Sequence, residues 1–348
     1  MRVHRPQPLR NRPTVSVVIP CYKYGHFLPD AVASALDQPG LDLQVIVVDD
    51  CSPDGSADVA RAMAADDPRV EVLVHETNKG HIATYNDGLA RVTGDYVVLL
   101  SADDVLMPGA LVRSVALMEA HPDVVLTYGY AVDFSDEVPE PSRARQWWTT
   151  WSGQEWARLV CGRGRNLLVN PEVIVRADVM REIGGYDPAH PHAGDLEVWL
   201  RAACRGRVAR VNGPVQAAYR VHGSNMHTST FGDLLTDLRA VRAVFDDVFS
   251  AQGDGGRMTR WATLRDRASR AIAGQAVAAA GREGLAADDR RSLLDFASDS
   301  WPDVTRSARW RLLGPDGVLA DNPGRQVVER VERVRWAVRW RRWRALGT

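Results

Sequence analysis

The stretch GDYVVLLSADDVLMP, residues 94–108, decides how the rest of the chain is read. Its first half, residues 96–100, is a short apolar run fit for a strand buried on both faces. The run ends in Ser101-Ala102-Asp103-Asp104, and Pro108 reads as the first position of a helix. Two adjacent carboxylates at the end of a buried strand cost free energy unless something uses them. In an open α/β sheet, ligands bind at the carboxyl ends of the strands. A hard divalent cation arriving with a phosphate-bearing molecule would use both acids. A helix N-cap followed by a solvated turn is the alternative.

Working outward, the same pattern recurs. Residues 15–19 (VSVVI) form a first buried strand, followed by Pro20-Cys21-Tyr22-Lys23. Phe27, Leu28, Ala31, Val32, Ala35 and Leu36 then fall at helical spacing. Residues 45–48 (VIVV) end in Asp49-Asp50 and a CSPDGS turn, where Ser56 can cap the helix carrying Val59, Ala60 and Met63. Residues 70–74 end near HETNKG (75–80), and a helix through Tyr85, Leu89 and Val92 leads back to the strand at 96–100. Strands alternating with helices imply an α/β fold, a mostly parallel sheet with helices on both faces. Equivalent strand ends share an edge, so Tyr22, Asp50, Asn78 and Asp103 gather on one rim.

Beyond Pro108 a helix through Leu111, Val115 and Met118 leads to a fifth strand at 124–128. An irregular loop (135–145) and the aromatic cluster Trp147, Trp148, Trp151 and Trp156 follow, then a strand at 170–175. MREIGGYD (180–187) reads as a helix end with a glycine stop. Gly194-Asp195 opens a helix with Leu196, Trp199, Leu200 and Ala203 on one face, and a last strand spans 215–221, before His222-Gly-Ser-Asn225-Met-His227. From about Phe231 the chain turns Ala-, Leu- and Arg-rich and helical, with a flexible joint at glycines 253, 255 and 256. The domain reading is a basic arm over 1–13, an α/β domain over 14–228 and a helical region over 229–348.

Bulk properties narrow the classes. With 348 residues, 45% hydrophobic and 25% charged, the chain can build a real core. A formal net charge of -1 gives no global attraction to nucleic acid. Cys21, Cys51, Cys161 and Cys204 are spread without a CxxC pair, which argues for free, mostly buried thiols in a reducing compartment and against a zinc site. The first residues lack the apolar run of a signal peptide, and nothing approaches the roughly 20 apolar residues of a membrane span. A cytoplasmic location is the expectation.

The runs SVVIPCYKYGHFL, VIVVDDCSPDGS, TNKGHIATYNDGL and GDYVVLLSADDVLMPGAL, with MREIGGYDP, GDLEVWLR and YRVHGSN in the same order, resemble the family 2 glycosyltransferases of the GT-A, Rossmann-like fold. The resemblance covers roughly residues 14 to 225. It implies transfer of a sugar from a nucleotide-diphosphate donor to an acceptor, with inversion and with Mn²⁺ or Mg²⁺. It also implies residue roles. Tyr22 matches the residue that stacks on the nucleobase. Asp50 matches the acid that accepts a hydrogen bond from the base; an acceptor-only carboxylate suits the imide NH of uracil or thymine, so a UDP- or TDP-sugar is favoured. Asp49 is structural. Pro20, Asn78, Lys79, Ser101 and Ala102 line the nucleotide site. Asp103 matches the metal-binding acid, with Asp104 a secondary ligand or helix cap. The first acid of the usual pattern is Ser101 here, which brings no charge and weakens the case for metal. Asp195 matches the catalytic base, its alternative being a helix N-cap; Glu197 is the fallback base. His222 is a further candidate metal ligand, and Arg220 a candidate partner for diphosphate.

The acceptor is read as a glycan, a lipid-linked molecule or a small molecule. Trp147, Trp148 and Trp151 either stack on it or belong to the core. The last helix, 326–345, interleaves arginines with Val331, Val334, Val338 and three tryptophans. Three readings stand: an anionic membrane surface, nucleic acid, or a Val and Trp stripe packed on the protein; packing is the plain reading and nucleic acid is disfavoured. Two other function classes compete with the transferase. A nucleotidyltransferase would show a Gly-rich basic loop after the first strand, which Pro20-Cys21-Tyr22-Lys23 is not. A catalytically silent sugar-nucleotide-binding or assembly module is left open by Ser101.

Overall fold

The computed structural model describes residues 1–142, 144–223, 225, 233–250, 258–282, 284–313 and 323–347. Met226, His227, Phe231 and the glycine joint lie outside them. The chain divides into two compact units, Met1–Glu155 with Leu168–Asn225 and Trp156–Leu167 with Met226–Thr348.

The first unit opens with β1 (Arg2–His4), β2 (Thr14–Cys21), α1 (Leu28–Leu36), β3 (Asp42–Asp49), α2 (Ser56–Asp66), β4 (Val70–Val74), α3 (His81–Leu89) and β5 (Tyr96–Leu99). It continues through β6 (Val105–Leu106), α4 (Ala110–Ala120), β7 (Val124–Tyr128), β8 (Ala131–Phe134) and β9 (Trp147–Ser152), after which α5 (Gly153–Arg163) begins and runs for the most part in the second unit. It closes with β10 (Ile174–Arg176), α6 (Ala177–Ile183), α7 (Gly194–Ala203), β11 (Arg207–Asn212) and β12 (Ala217–Arg220). Among the described residues, nine strands form one sheet in the order β1-β9-β11-β7-β10-β5-β2-β3-β4, and β6-β12-β8 form a second.

The parallel block β5-β2-β3-β4 is the frame expected from the apolar runs. Val17, Val18, Ile19 and the run Val45, Ile46, Val47 and Val48 are wholly buried, each worth about 1.5–3 kcal/mol of apolar burial. Such runs are covered on both faces, so their downstream ends are where polar side chains reach solvent.

Several local expectations need correction. The segment 170–175 is a single 3₁₀ turn (Asn170–Glu172) followed by β10, which inserts antiparallel between β5 and β7. Pro108 precedes α4 by two residues, and Gly109 at φ +71 is the N-cap. Ser56 does not cap α2, whose N-cap is Gly55; its hydroxyl accepts from Gly25 N (2.8 Å) and donates to Asp54 Oδ1 (2.5 Å), tying two loops together. Within the basic arm, β1 pairs antiparallel with β9. The tryptophan cluster hides β9, whose Thr149 and Thr150 are buried together with Trp148 and Trp151.

The second unit contains α8 (Leu234–Val248), α9 (Thr263–Ala280), α10 (Ala287–Ser300), α11 (Ala308–Arg311) and α12 (Pro323–Leu346). The Asp233 carboxylate caps α8 by accepting from Leu235 N and Thr236 N. Small residues of α9 (Ala268, Ala273, Ala276) are buried, as are Leu293, Phe296 and Ala297 of α10. Buried Arg290 donates to the carbonyls of Ala280, Arg282 and Leu285, satisfying the orphan acceptors where α9 ends. On α12, Val327, Val331, Val334 and Val338 are 62%, 43%, 58% and 50% exposed.

Candidate active site

The loops after β2 and β3 make one end of the site. They are joined where Asp50 N donates to Cys21 O at 2.9 Å. Tyr22 stands at this edge, 42% exposed, with Lys23 Nζ 4.9 Å from its ring centroid. Asp49 is buried and accepts from Ser52 N at 2.9 Å, a structural role as expected.

The Asp50 carboxylate organises the HETNKG loop. Its Oδ1 lies 2.8 Å from His75 Nδ1 and accepts from Lys79 N at 2.8 Å, while Oδ2 accepts from Gly80 N at 2.9 Å. Burial pushes the Asp50 carboxyl up, but these three donors outweigh it and hold the group below its ordinary value. A carboxylate has about four acceptor positions, so Oδ2 keeps capacity for one more donor. Asn78 donates to Asp50 O at 3.2 Å, and exposed Lys79 pairs with Asp87 at 2.9 Å. His75 links the two acids, its Nε2 lying 3.0 Å from Asp87 Oδ2.

At the end of β5 the two acids diverge. Asp104 is turned inward, fully buried, with Oδ1 accepting from Arg220 N at 2.9 Å. Burial and the charge of Asp103 push its carboxyl well above the ordinary range. It does not cap α4, whose N-cap is Gly109. Asp103 faces the segment after β12: its Oδ2 lies 3.0 Å from His222 Nε2 and 3.4 Å from Asn225 Nδ2. Asn225 also accepts from His222 N at 2.6 Å and donates to Arg220 O at 3.0 Å, closing a tight turn around the imidazole. Carboxylate oxygen and imidazole nitrogen thus converge, a donor set that a divalent ion of the Mn²⁺ type accepts. Ser101 is half-buried and Ala102 buried at the same turn.

Arg220, a candidate partner for diphosphate, has its guanidinium engaged within the fold. It donates to Asp103 O at 2.9 Å, pairs with Asp30 at 3.0 Å, and lies between the Phe27 and Phe134 rings at 4.6 and 4.5 Å. Its role is to fix the backbone that carries Asp103.

Asp195 does not cap α7: the N-cap is Ala193, and Asp195 Oδ1 instead accepts from the Tyr186 hydroxyl at 2.8 Å. Burial raises its carboxyl pKa, against the pull of Tyr186 and the His81 charge. The Tyr85 phenol is pushed well above its ordinary value by burial and by the charges of Asp195, Asp103 and Asp104, in that order. Tyr85 therefore lies in the field of both acidic sites. The fallback base Glu197 is buried in an ion pair with Arg201, whose guanidinium also donates to Ile183 O and to Gly185 O at 2.5 Å. It secures the end of α6 and has no free face for a substrate. Trp148 is fully buried and Trp151 nearly so, stacked 6.2 Å from Tyr128; both are core, and only Trp147 is half-buried.

The residues that sequence reading missed are partners of predicted ones: His75, Asp87, Asn86, Tyr186, Asp30 and Asn225. His75, Asn86, Asp87, Tyr186 and Asn225 stand inside motifs already singled out, so their motifs were signals; Asp30 lies in none of them.

Residues 16–176 match the family model "Glycosyl transferase family 2". The chain is similar to the putative teichuronic acid biosynthesis glycosyltransferase TuaG of Bacillus subtilis, 33% identical over 128 residues, covering 37% of this chain and 51% of TuaG. It thus spans about half the length of that relative. In fold it is similar to the mannosyltransferase PcManGT of Pyrobaculum calidifontis, solved with GDP-Man and Mn2+ (TM-score 0.56, 14% identity, covering 98% of this chain and 85% of that one). It is also similar to TarS 1-349 of S. aureus, solved with UDP-GlcNAc (TM-score 0.54, 15% identity, 84% and 92% covered). The α/β architecture is a GT-A fold.

Proposed function

We propose that the chain, whose residues 16–176 match the glycosyl transferase family 2 model, is an inverting glycosyltransferase that moves a sugar from a nucleoside diphosphate donor, UDP- or TDP-linked, to an acceptor hydroxyl. The observation that carries the reading is Asp195: a carboxylate that its helix does not use as a cap and whose Oδ1 accepts from the Tyr186 hydroxyl at 2.8 Å. In the proposed step Asp195 takes the acceptor's hydroxyl proton. The oxygen forms its bond to the anomeric carbon from the face opposite the diphosphate, and the carbon–oxygen bond to the diphosphate breaks, leaving the nucleoside diphosphate with the electron pair. Tyr22 stacks on the base, and Asp50 accepts its imide NH on the remaining Oδ2 position. Asp103 and His222 would hold a divalent ion, Mn²⁺ or Mg²⁺, which when bound neutralises charge growing on the leaving group. The GDP-Man and Mn2+ bound by PcManGT and the UDP-GlcNAc bound by TarS support a sugar-nucleotide donor.

The test is nucleotide release. Wild-type protein with its donor and acceptor should liberate the nucleoside diphosphate, and Asp195→Asn should lose about 10²–10⁴-fold in rate, the usual contribution of a general base. A wild-type rate in Asp195→Asn would remove the base assignment. Donor binding without release in any variant would favour the silent-module reading.

The exposed valine stripe of α12 favours one addition, peripheral contact with an anionic membrane. Arg330, Arg335, Arg341 and Arg342 flank that stripe at helical spacing, so acyl and headgroup regions would each find a partner. Among the described residues no helix is long and apolar enough to cross a membrane. This reading goes with a cytoplasmic location at the inner membrane face and with a lipid-linked acceptor rather than a free glycan or small molecule. The thiols of Cys21, Cys51, Cys161 and Cys204 are all free, as a reducing compartment requires. Co-sedimentation with phosphatidylglycerol vesicles should be lost on deleting residues 323–348; retention by the truncated chain would contradict it.

A further inference from the structure

Tyr186 is almost fully buried, and its hydroxyl lies 2.8 Å from Asp195 Oδ1. The backbone beneath that ring is held at two points by one side chain. Asn86 of α3 donates from Nδ2 to Tyr186 O at 2.8 Å and accepts at Oδ1 from Tyr186 N at 2.9 Å. A planar amide that matches both polar groups of one residue fixes its position and direction together. Two glycines make room for the arrangement. Gly185 has φ +72, and a Cβ there would stand 2.5 Å from Asn86 Oδ1. A Cβ on Gly194, the residue before Asp195, would stand 3.0 Å from Tyr186 Cδ1. Tyr85, one residue before Asn86, packs its ring 5.0 Å from that of Tyr186.

We propose that Asn86 and Tyr186 are positioning residues for Asp195: the Asn86 amide locks the Tyr186 backbone, and the Tyr186 hydroxyl in turn orients the ionised carboxylate and stabilises its charge. The inference rests on the reading of Asp195 as the base. It adds that α3 serves both ends of the site. Gly80, its N-cap, and Lys79 donate to Asp50 at the nucleotide end, while Asn86 sets the base from the middle of the same helix. Among the described residues, Asp195 also interacts electrostatically with His81 and Tyr85 of α3.

The test needs no substrate. Aspartate carboxyl carbons are labelled with ¹³C in the full chain, and the Asp195 signal is assigned by its loss in Asp195→Asn. In Tyr186→Phe the titration midpoint of Asp195 should rise by about one pH unit, the size of one hydrogen bond to a charged group. In Asn86→Ala, which keeps the phenol but frees its backbone, the midpoint should move the same way by a smaller step. A purely structural Tyr186 would lower stability and leave the midpoint where it was, and an unchanged midpoint in folded Tyr186→Phe overturns the proposal. If that variant does not fold, an unchanged midpoint in Asn86→Ala overturns it. Failure of the base reading shows differently, as a wild-type rate of nucleotide release in Asp195→Asn while the titration shift persists.

Discussion

His222 Nε2 lies 3.0 Å from Asp103 Oδ2, although 119 residues separate the two in the chain. The contact joins the turn after β5 to the segment after β12, which pair through the small second sheet by way of β6. If the pair holds a divalent ion, each partner contributes in its own way. Asp103→Asn should abolish metal-dependent turnover. His222→Ala should keep turnover but raise the metal concentration needed for half-maximal rate by about 10–100-fold, the usual cost of losing support at a metal site. A metal titration of nucleotide release separates the two, and an unaltered metal requirement in His222→Ala would exclude the imidazole as a ligand.

Asp50 gives a pH prediction with a definite sign. Its folded-state pKa is depressed below the ordinary value of 3.8. The unfolded chain therefore binds more protons as pH falls, and the stability contributed by Asp50 is fully present above its unfolded pKa and lost as pH drops through the folded one. Asp50→Asn should be less stable than wild type at pH 7, and the gap should narrow below pH about 4. Urea midpoints at pH 7 and pH 3.5 check this; a gap that widens on acidification would contradict the assignment.

Arg220 is a structural cation. Its side chain is 7% exposed while that of Asp30 is 59% exposed, so the ion pair itself is discounted for solvent screening. The larger loss in Arg220→Ala comes from the bond to Asp103 O and the contacts with Phe27 and Phe134. Together these should cost about 2–3 kcal/mol. Arg220→Lys should recover little, because an ammonium cannot reproduce the planar stacking. Thermal denaturation measures both variants; near-wild-type stability in Arg220→Ala would contradict the role.

Gly185→Ala tests the backbone beneath Tyr186. A left-handed φ and a Cβ 2.5 Å from Asn86 Oδ1 should cost about 1–3 kcal/mol. The neighbouring Gly184 is also left-handed, but its Cβ would meet nothing within 4 Å. Gly184→Ala should therefore cost only the backbone part, about 1 kcal/mol. Equal melting temperatures for the two variants would count against the close approach of Asn86.

What the sequence disclosed follows from physics of two kinds. Runs such as VIVV at 45–48 are legible because burial on both faces demands uninterrupted apolar residues. β9 and β11 were not, because tryptophans and arginines occupy strand positions there: Arg210 is buried by donating to Gly129 O and Asn212, which no pattern of hydrophobicity reports. At the site, motif positions such as Asp103 and His222 could be named and the structure brings them together. The use each carboxylate finds could not be named. Asp104 and Glu197 look as available as Asp103 and Asp195 until their partners, Arg220 N and Arg201, are seen. Asn86 stands inside a quoted motif, but its use could not be read there, because it clamps the backbone of a residue 100 positions away.

The measurement that bears most directly on the function is the melting temperature of wild type and Asp103→Asn against UDP-, TDP- and GDP-sugars, with and without Mn²⁺. A donor that binds the folded state raises stability by mass action, by about 2.7 kcal/mol at 100 times its Kd. A uridine or thymidine donor should raise the wild-type Tm in the presence of Mn²⁺, and the increment should shrink sharply in Asp103→Asn. If no sugar nucleotide moves the wild-type Tm, or the increment is the same in Asp103→Asn, the metal–diphosphate site at the end of β5 is not where the donor binds.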